Sequence, residues 1–349
     1  MMSKFKAFLK RKDVEFSPKR YFIDALGAMA QGLFASLLIG TILSTIGQQF
    51  GIAVLDEVGT YAKSVQGCAM AIAIGYALKC PPLVLFSLAA VGYAANAIGG
   101  AGGAFAVLII TIVAAELGKM VSKETKLDVL VTPIVTICSG ILLATVIAEP
   151  IGKGAAAVGN FIMWATELQP FWMGIIVSVV VGIALTLPIS SAAICAGIGL
   201  TGLAGGAALA GCCAQMVGFA VMSFKENRWG GLLAQGIGTS MLQMGNIVKN
   251  PRIWIAPILT SAITGPISTC LFKLEMNGAP VSSGMGTCGL VGQIGMYTGW
   301  VTDGVAITVM HWVGMLLTHI VLPAVICWAL GLVCRKLGWI KENDLKLDL

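Results

Sequence analysis

Long stretches of this 349-residue chain contain neither lysine nor arginine, among them those between Arg20 and Lys63, Lys126 and Lys153, Lys153 and Lys225, and Lys273 and Arg335. A cation at the centre of a bilayer costs several kcal/mol, so runs without one are where a chain sits in lipid. The rest of the composition agrees: 57% of residues are hydrophobic, 11% are charged, and the mean hydropathy is +0.91. A soluble fold is excluded. With about 20 residues per crossing, the length accommodates roughly ten helices and leaves no room for a large soluble domain.

The net charge of +6 comes largely from Lys4, Lys6, Lys10, Arg11, Lys12, Lys19 and Arg20. These residues precede the first apolar run and read as a cytoplasmic, lipid-facing anchor; no even basic field suggests nucleic acid as a partner. The run over 22–48 is too long for a secretory h-region, so it reads as an uncleaved first helix with its N-terminus inside. Ten cysteines lie mostly among small apolar neighbours. They show neither metal-type spacing nor a disulfide framework, and no metal site or cofactor is assigned.

The organisation follows as a basic N-terminus (1–21), an N-terminal membrane bundle (22–150), a substrate or transport region (151–335) and a cytoplasmic tail (336–349). Within the bundle the expected helices are 22–48, 66–79, 83–97, 101–118 and 129–148. An external link is expected over 51–65, a glycine bend at Gly99–Gly103, and a stop at Glu149-Pro150. Lys119, Lys123 and Lys126 place one loop in the cytoplasm, and both termini are expected there. The Gly/Ala/Ser-rich stretch 188–206 reads as a broken or re-entrant segment, tolerated at membrane depth only where protein or a cavity surrounds it.

The second region contains a repeat. An offset of 78 residues aligns Ala184–Ser191 with Ala262–Thr269, with Ala, Thr, Pro, Ile and Ser identical, and without a gap pairs Gly206 with Gly284, Gly211 with Gly289, and Gln215 with Gln293. Duplicated halves around a midplane site are a recurrent transporter plan, and the two Pro-Ile-Ser turns are expected to approach each other. Candidate solute ligands are Ser190, Ser191 and Gln215 in the first arm. Ser268, Thr269 and Gln293 are their counterparts in the second, where Ser282, Ser283 and Thr287 of a polar, glycine-rich tip join them. The alternative is that these hydroxyls only join helix to helix. Gln235, Thr239, Gln243 and Asn246, spaced four, four and three, form a polar stripe on one helical face; Thr239 and Gln243 join the candidates, and a headgroup-level helix is the plainer reading. Glu149, at the end of an apolar run, is the acid singled out, either for sugar hydroxyls or for a proton, with an interfacial carboxylate as the alternative. His311 and His319, eight apart on the last apolar helix, suit packing better than proton relay. No Walker A loop, Ser/His/Asp set or zinc motif supports an intramembrane enzyme, and no catalytic residue is assigned.

Four segments carry a family resemblance: Gln169–Gly174 through Leu187–Ala192, Phe224–Gly231, Gly236–Gln243 and Gly284–Gln293. Together they resemble the EIIC-type membrane family that includes PfoR-like proteins, over most of residues 20–335. The resemblance implies an all-α polytopic membrane protein of about ten helices, in which an elevator-type scaffold holds a mobile domain with two re-entrant hairpins around a sugar. It also implies a homodimer in the bacterial inner membrane. At most the chain is then the membrane subunit of a sugar phosphotransferase system, with phosphate supplied by separate EIIA and EIIB proteins. Glu149-Pro150-Ile151 is similar to the Glu-Pro-Ile of glucose-type EIIC but lies mid-chain. Better-known branches place a His near the sugar, whereas the region between these repeats has none. Two other expectations stand beside a sugar permease: a PfoR-type membrane sensor or regulator, and a proton- or cation-coupled transporter.

Overall fold

The computed structural model describes residues 2–347. The protein is 82% helical, with no strand among the described residues. Its helices are α1 (Met2–Arg11), α2 (Arg20–Phe50), α3 (Ala53–Ser64), α4 (Gln66–Ala77), α5 (Pro82–Gly99), α6 (Gly103–Val121), α7 (Asp128–Thr166), α8 (Pro170–Thr186), α9 (Ser191–Gly197), α10 (Gly202–Met222), α11 (Phe224–Leu233), α12 (Met244–Lys249), α13 (Ile255–Pro266), α14 (Val291–Thr302) and α15 (Val309–Lys336). Among the described residues six stretches are long and apolar enough to cross a bilayer, and α4 and α8 are shorter apolar helices. Only 22% of the most apolar window of α7 is buried, and 28% of that of α15. Val129, Leu130, Ile134, Leu142 and Val146 all stand exposed on α7. Uncovered apolar surface on this scale requires lipid, and the chain is an all-α membrane protein.

The chain packs as two compact units, Met1–Gly40 with Glu57–Gly154, and Thr41–Asp56 with Ala155–Leu349. In the first, α4 and α5 approach so closely that a Cβ on Gly67 or Gly92 would strike the other's carbonyl oxygen, the small-residue contact that draws helices together in lipid. The expected glycine bend is present: Gly100 has φ +49°. A Cβ on Gly118 would meet Val84 at 2.8 Å, so α5 and α6 run antiparallel. Basic residues collect at one end of this unit. Arg20 pairs with Asp13 at 2.6 Å and donates to the Leu78 carbonyl at 2.7 Å, and Lys119 donates to the Asp13 carbonyl at 2.7 Å. Lys12 pairs with Glu124. Within the same cluster Lys119 and Glu116 form a buried ion pair at 2.7 Å, and Tyr21 donates to Glu116 at 3.2 Å.

Two expectations for this half differ from the structure. Residues 53–64 form helix α3, started after Gly51 (φ +67°). Asp56 in its first turn and Lys63 in its last both suit the helix dipole. Helix α7 does not stop at Glu149-Pro150 but runs 39 residues, through Pro133 and Pro150. An interior proline costs about 3 kcal/mol. Ending the helix in hydrocarbon would leave several carbonyls and amides without partners, each at comparable cost, so continuation wins.

In the second unit α10 is the central helix, with 89% of its apolar window buried. A Cβ on Gly211 would strike the Ser178 carbonyl of α8, and one on Gly218 would meet Cys327 of α15 at 2.9 Å. Helices α8 and α13 lie antiparallel: Ser178 donates to the Ser261 carbonyl at 2.8 Å, and Thr269 donates to the Pro170 carbonyl at 2.9 Å. The 188–206 stretch breaks as expected, with Ser190 capping the short helix α9 through Ala193 N–H at 3.1 Å. Gly199 (φ +63°) and Gly202 (φ +62°) then reverse the chain into α10.

Candidate functional site

Because α8 and α13 are antiparallel, the two Pro-Ile-Ser turns lie at opposite ends of α8. Thr269 sits at Pro170, whereas Pro188 follows the helix's other end. Seventeen residues of helix at 1.5 Å each separate the turns by about 25 Å. They do not meet. The sequence offset carries no information about the direction in which each helix runs, which is why the expectation of a meeting fails.

The polar residues of this unit instead gather in three groups. In the first, Gln215 of α10 is fully buried. It accepts from Trp254 Nε1 at 2.8 Å and from Thr186 Oγ1 at 3.4 Å, and donates to Ser261 Oγ at 3.1 Å. Thr186 and Ser240 share a 2.8 Å hydrogen bond. Gln215 thus joins α8, α10 and α13, and its amide has a protein partner on both its oxygen and its nitrogen.

The second group joins the first break to the glycine-rich tip. Ser191 donates to the Gly284 carbonyl at 2.7 Å and Ser283 to the Leu200 carbonyl at 2.7 Å. Gly202 and Met276 exchange both backbone hydrogen bonds at 2.9 Å. Thr287 donates to the Gly236 carbonyl, and Ser268 to the Gly206 carbonyl at 3.4 Å. Ser282 is buried with its Oγ against Gly295. Ser191, Ser283 and Thr287 spend their protons on backbone carbonyls beside the chain breaks, as serine and threonine do beside broken membrane helices. Their lone pairs remain as acceptors.

In the third group two polar atoms lack a partner. Gln293 of α14 lies beside Cys213 of α10 (Nε2 to Sγ 3.3 Å) and beside His319 of α15 (Nε2 to Nδ1 3.4 Å). His319 is fully buried. Its Nε2 and the Gln293 Oε1 have no hydrogen-bond partner among the described residues. Such atoms are costly to leave unpaired, and two in adjacent side chains mark a place for a ligand or ordered water. Cys213 also belongs to an apolar cluster with Leu209, Leu274, Met276, Met296, Trp300 and Met315. The spacing of eight between the histidines did not separate them, but the structure does: His311 is bound to Thr308 in a helix cap, whereas His319 faces the interior.

The remaining candidates stand elsewhere. Glu149, in the first unit, is exposed and paired with Lys153 at 2.8 Å. The 235–246 stripe is not one helical face. The helix gives way at Ala234–Gly238, Thr239 is extended (φ −157°) and caps Met241 N–H at 3.1 Å, and a tight turn over Ser240–Gln243 leads into α12. Gln235, Gln243 and Asn246 still meet, with Gln243 donating to Gln235 at 3.0 Å and Asn246 to Gln243 at 2.9 Å.

Comparison with curated proteins and with solved structures finds no match. A family model described as Phosphotransferase system, EIIC matches residues 23–347, a span that draws on both units and includes every candidate residue above. The chain belongs to the phosphotransferase-system EIIC family.

Proposed function

We propose that this EIIC-family chain is a permease that carries a small hydroxylated solute, a sugar by its chemistry, across the bacterial inner membrane. Any phosphoryl group comes from a separate EIIB protein. The single observation that supports the reading best is the Gln293–His319 pair. One unpaired amide oxygen and one unpaired imidazole nitrogen, both buried, complement a hydroxyl, which donates and accepts at once. A neutral solute also suits a region with no lysine or arginine between Lys273 and Arg335. A Pro-Ile-Ser motif stands at the C-terminal end of each of the antiparallel helices α8 and α13, as an inverted repeat would produce, and such repeats are a recurrent plan of transporters.

The test is binding by purified protein against a panel of sugars, read by intrinsic fluorescence. Gln293→Leu and His319→Leu are each expected to weaken binding by about 1–2 kcal/mol, the cost of a buried partner left unpaired. Ser190→Ala, whose hydroxyl only caps α9, should bind as wild type. Unchanged affinity in both the Gln293 and His319 variants would move the site elsewhere.

A further inference from the structure

The segment after α15 does not trail away from the protein. Leu345 is fully buried and Ile340 nearly so, and four carboxamide side chains hold the segment. Asn227 donates to the Leu345 carbonyl at 2.7 Å and accepts from the Leu347 amide at 2.8 Å. Gln243 donates to the same Leu345 carbonyl at 2.9 Å, and Asn246 to the Lys346 carbonyl at 2.8 Å. Asn250 donates to the Trp339 carbonyl at 2.8 Å and to the Asp344 carboxylate at 2.8 Å. Most of these bonds engage main-chain atoms, so they read the peptide backbone rather than a side-chain pattern. Asn227 takes the Leu345 carbonyl and the amide two residues on, bridging the end of the turn that the Lys346 amide closes on the Asn343 carbonyl at 3.1 Å.

The amides are positioned before the segment arrives. Gln235 is anchored to Ser223 Oγ and to the Gly231 carbonyl, each at 2.9 Å; it orients Gln243, which orients Asn246. With the segment absent, Gln243 and Asn246 would each keep an N–H aimed at an empty groove, a costly arrangement for a buried donor. We infer that Asn227, Gln243, Asn246 and Asn250 form a binding site for a turned peptide segment, whose resident ligand is the chain's own segment 339–347, folded back by a turn at Asn343 (φ +67°) and anchored by Leu345. While that segment is docked, the Gln243 amide is committed to it and withheld from any solute. The site is independent of which solute the protein carries.

A synthetic peptide spanning residues 337–347 is the probe, offered to the full-length protein in detergent. The resident segment acts at an effective concentration in the mM range, so the wild type is expected to leave the peptide unbound. Leu345→Asp, which places a charge in the anchor pocket, should expel the segment and bind the peptide at least about tenfold more tightly than wild type. Asn227→Ala removes two bonds without adding charge; it keeps the test available if Leu345→Asp does not fold, and should show the same direction. Hydrogen exchange in the wild type should show the Leu347 amide protected, with protection lost in both variants. Three results would each overturn the inference: an unprotected Leu347 amide in the wild type, no peptide binding by either variant, or equal binding by variants and wild type.

Discussion

Gln215→Leu separates a structural glutamine from a solute ligand. Leucine fills much the same volume, so the change removes hydrogen bonds with little cavity. The strong hydrogen bonds that disappear are those to Trp254 at 2.8 Å and to Ser261 at 3.1 Å; the Thr186 bond at 3.4 Å is long and contributes little. Ser261 still donates to the Pro257 carbonyl at 3.0 Å, and Thr186 keeps Ser240 at 2.8 Å. The main cost is therefore the Trp254 N–H left without its acceptor. Interhelical hydrogen bonds in membranes average about 0.6 kcal/mol and reach about 1.7, so two missing bonds and one orphaned donor give about 2 kcal/mol. The assay is unfolding in SDS, followed by thiol labelling of Cys212 and Cys213, both buried beside Gln215 on α10. Trp254→Phe should cost less, and the double variant less than the sum, because both changes remove one bond. A Gln215→Leu protein as stable as wild type but unable to bind solute would refute the structural role.

Lys119→Met should destabilise the first unit by about 3–5 kcal/mol, since it strands the Glu116 carboxylate in a buried site; Glu116→Gln with Lys119→Met should recover most of that loss in the same SDS titration. The Arg20 guanidinium, hydrogen-bonded to Asp13, holds that carboxyl below its ordinary value of 3.8. A depressed folded-state value contributes stability at higher pH, and that contribution fades as pH falls below about 4. Stability measured against pH should therefore show an acid limb that Asp13→Asn removes; an unchanged limb would assign it to other carboxylates.

Much of the architecture was legible in the pattern of missing charge, because hydrocarbon penalises every unpaired backbone group and every unpaired ion alike. The bend at Gly100 and the breaks at Ser190 and Gly199 were legible for the same reason: proline and glycine act locally. The passage of α7 through Pro150 was not, since the rule that proline ends a helix presumes water to receive the freed carbonyls. The 235–246 stripe misled because a period of four assumes an unbroken helix, which Gly236, Gly238 and the extended Thr239 deny. The paired glutamines were visible as a repeat, but their difference was not: Gln215 is saturated by its neighbours and Gln293 keeps a free oxygen. That distinction, like the importance of His319, depends on which side chains tertiary packing brings alongside.

The central claim is that the protein moves a solute rather than only holding one. Solute counterflow in vesicles containing the purified protein tests it directly, using the sugar that binds best. The account predicts that labelled sugar accumulates against unlabelled sugar loaded inside, with Gln293→Leu reducing the rate in step with its loss of affinity. Saturable binding with no counterflow, or undiminished counterflow in Gln293→Leu, would contradict it.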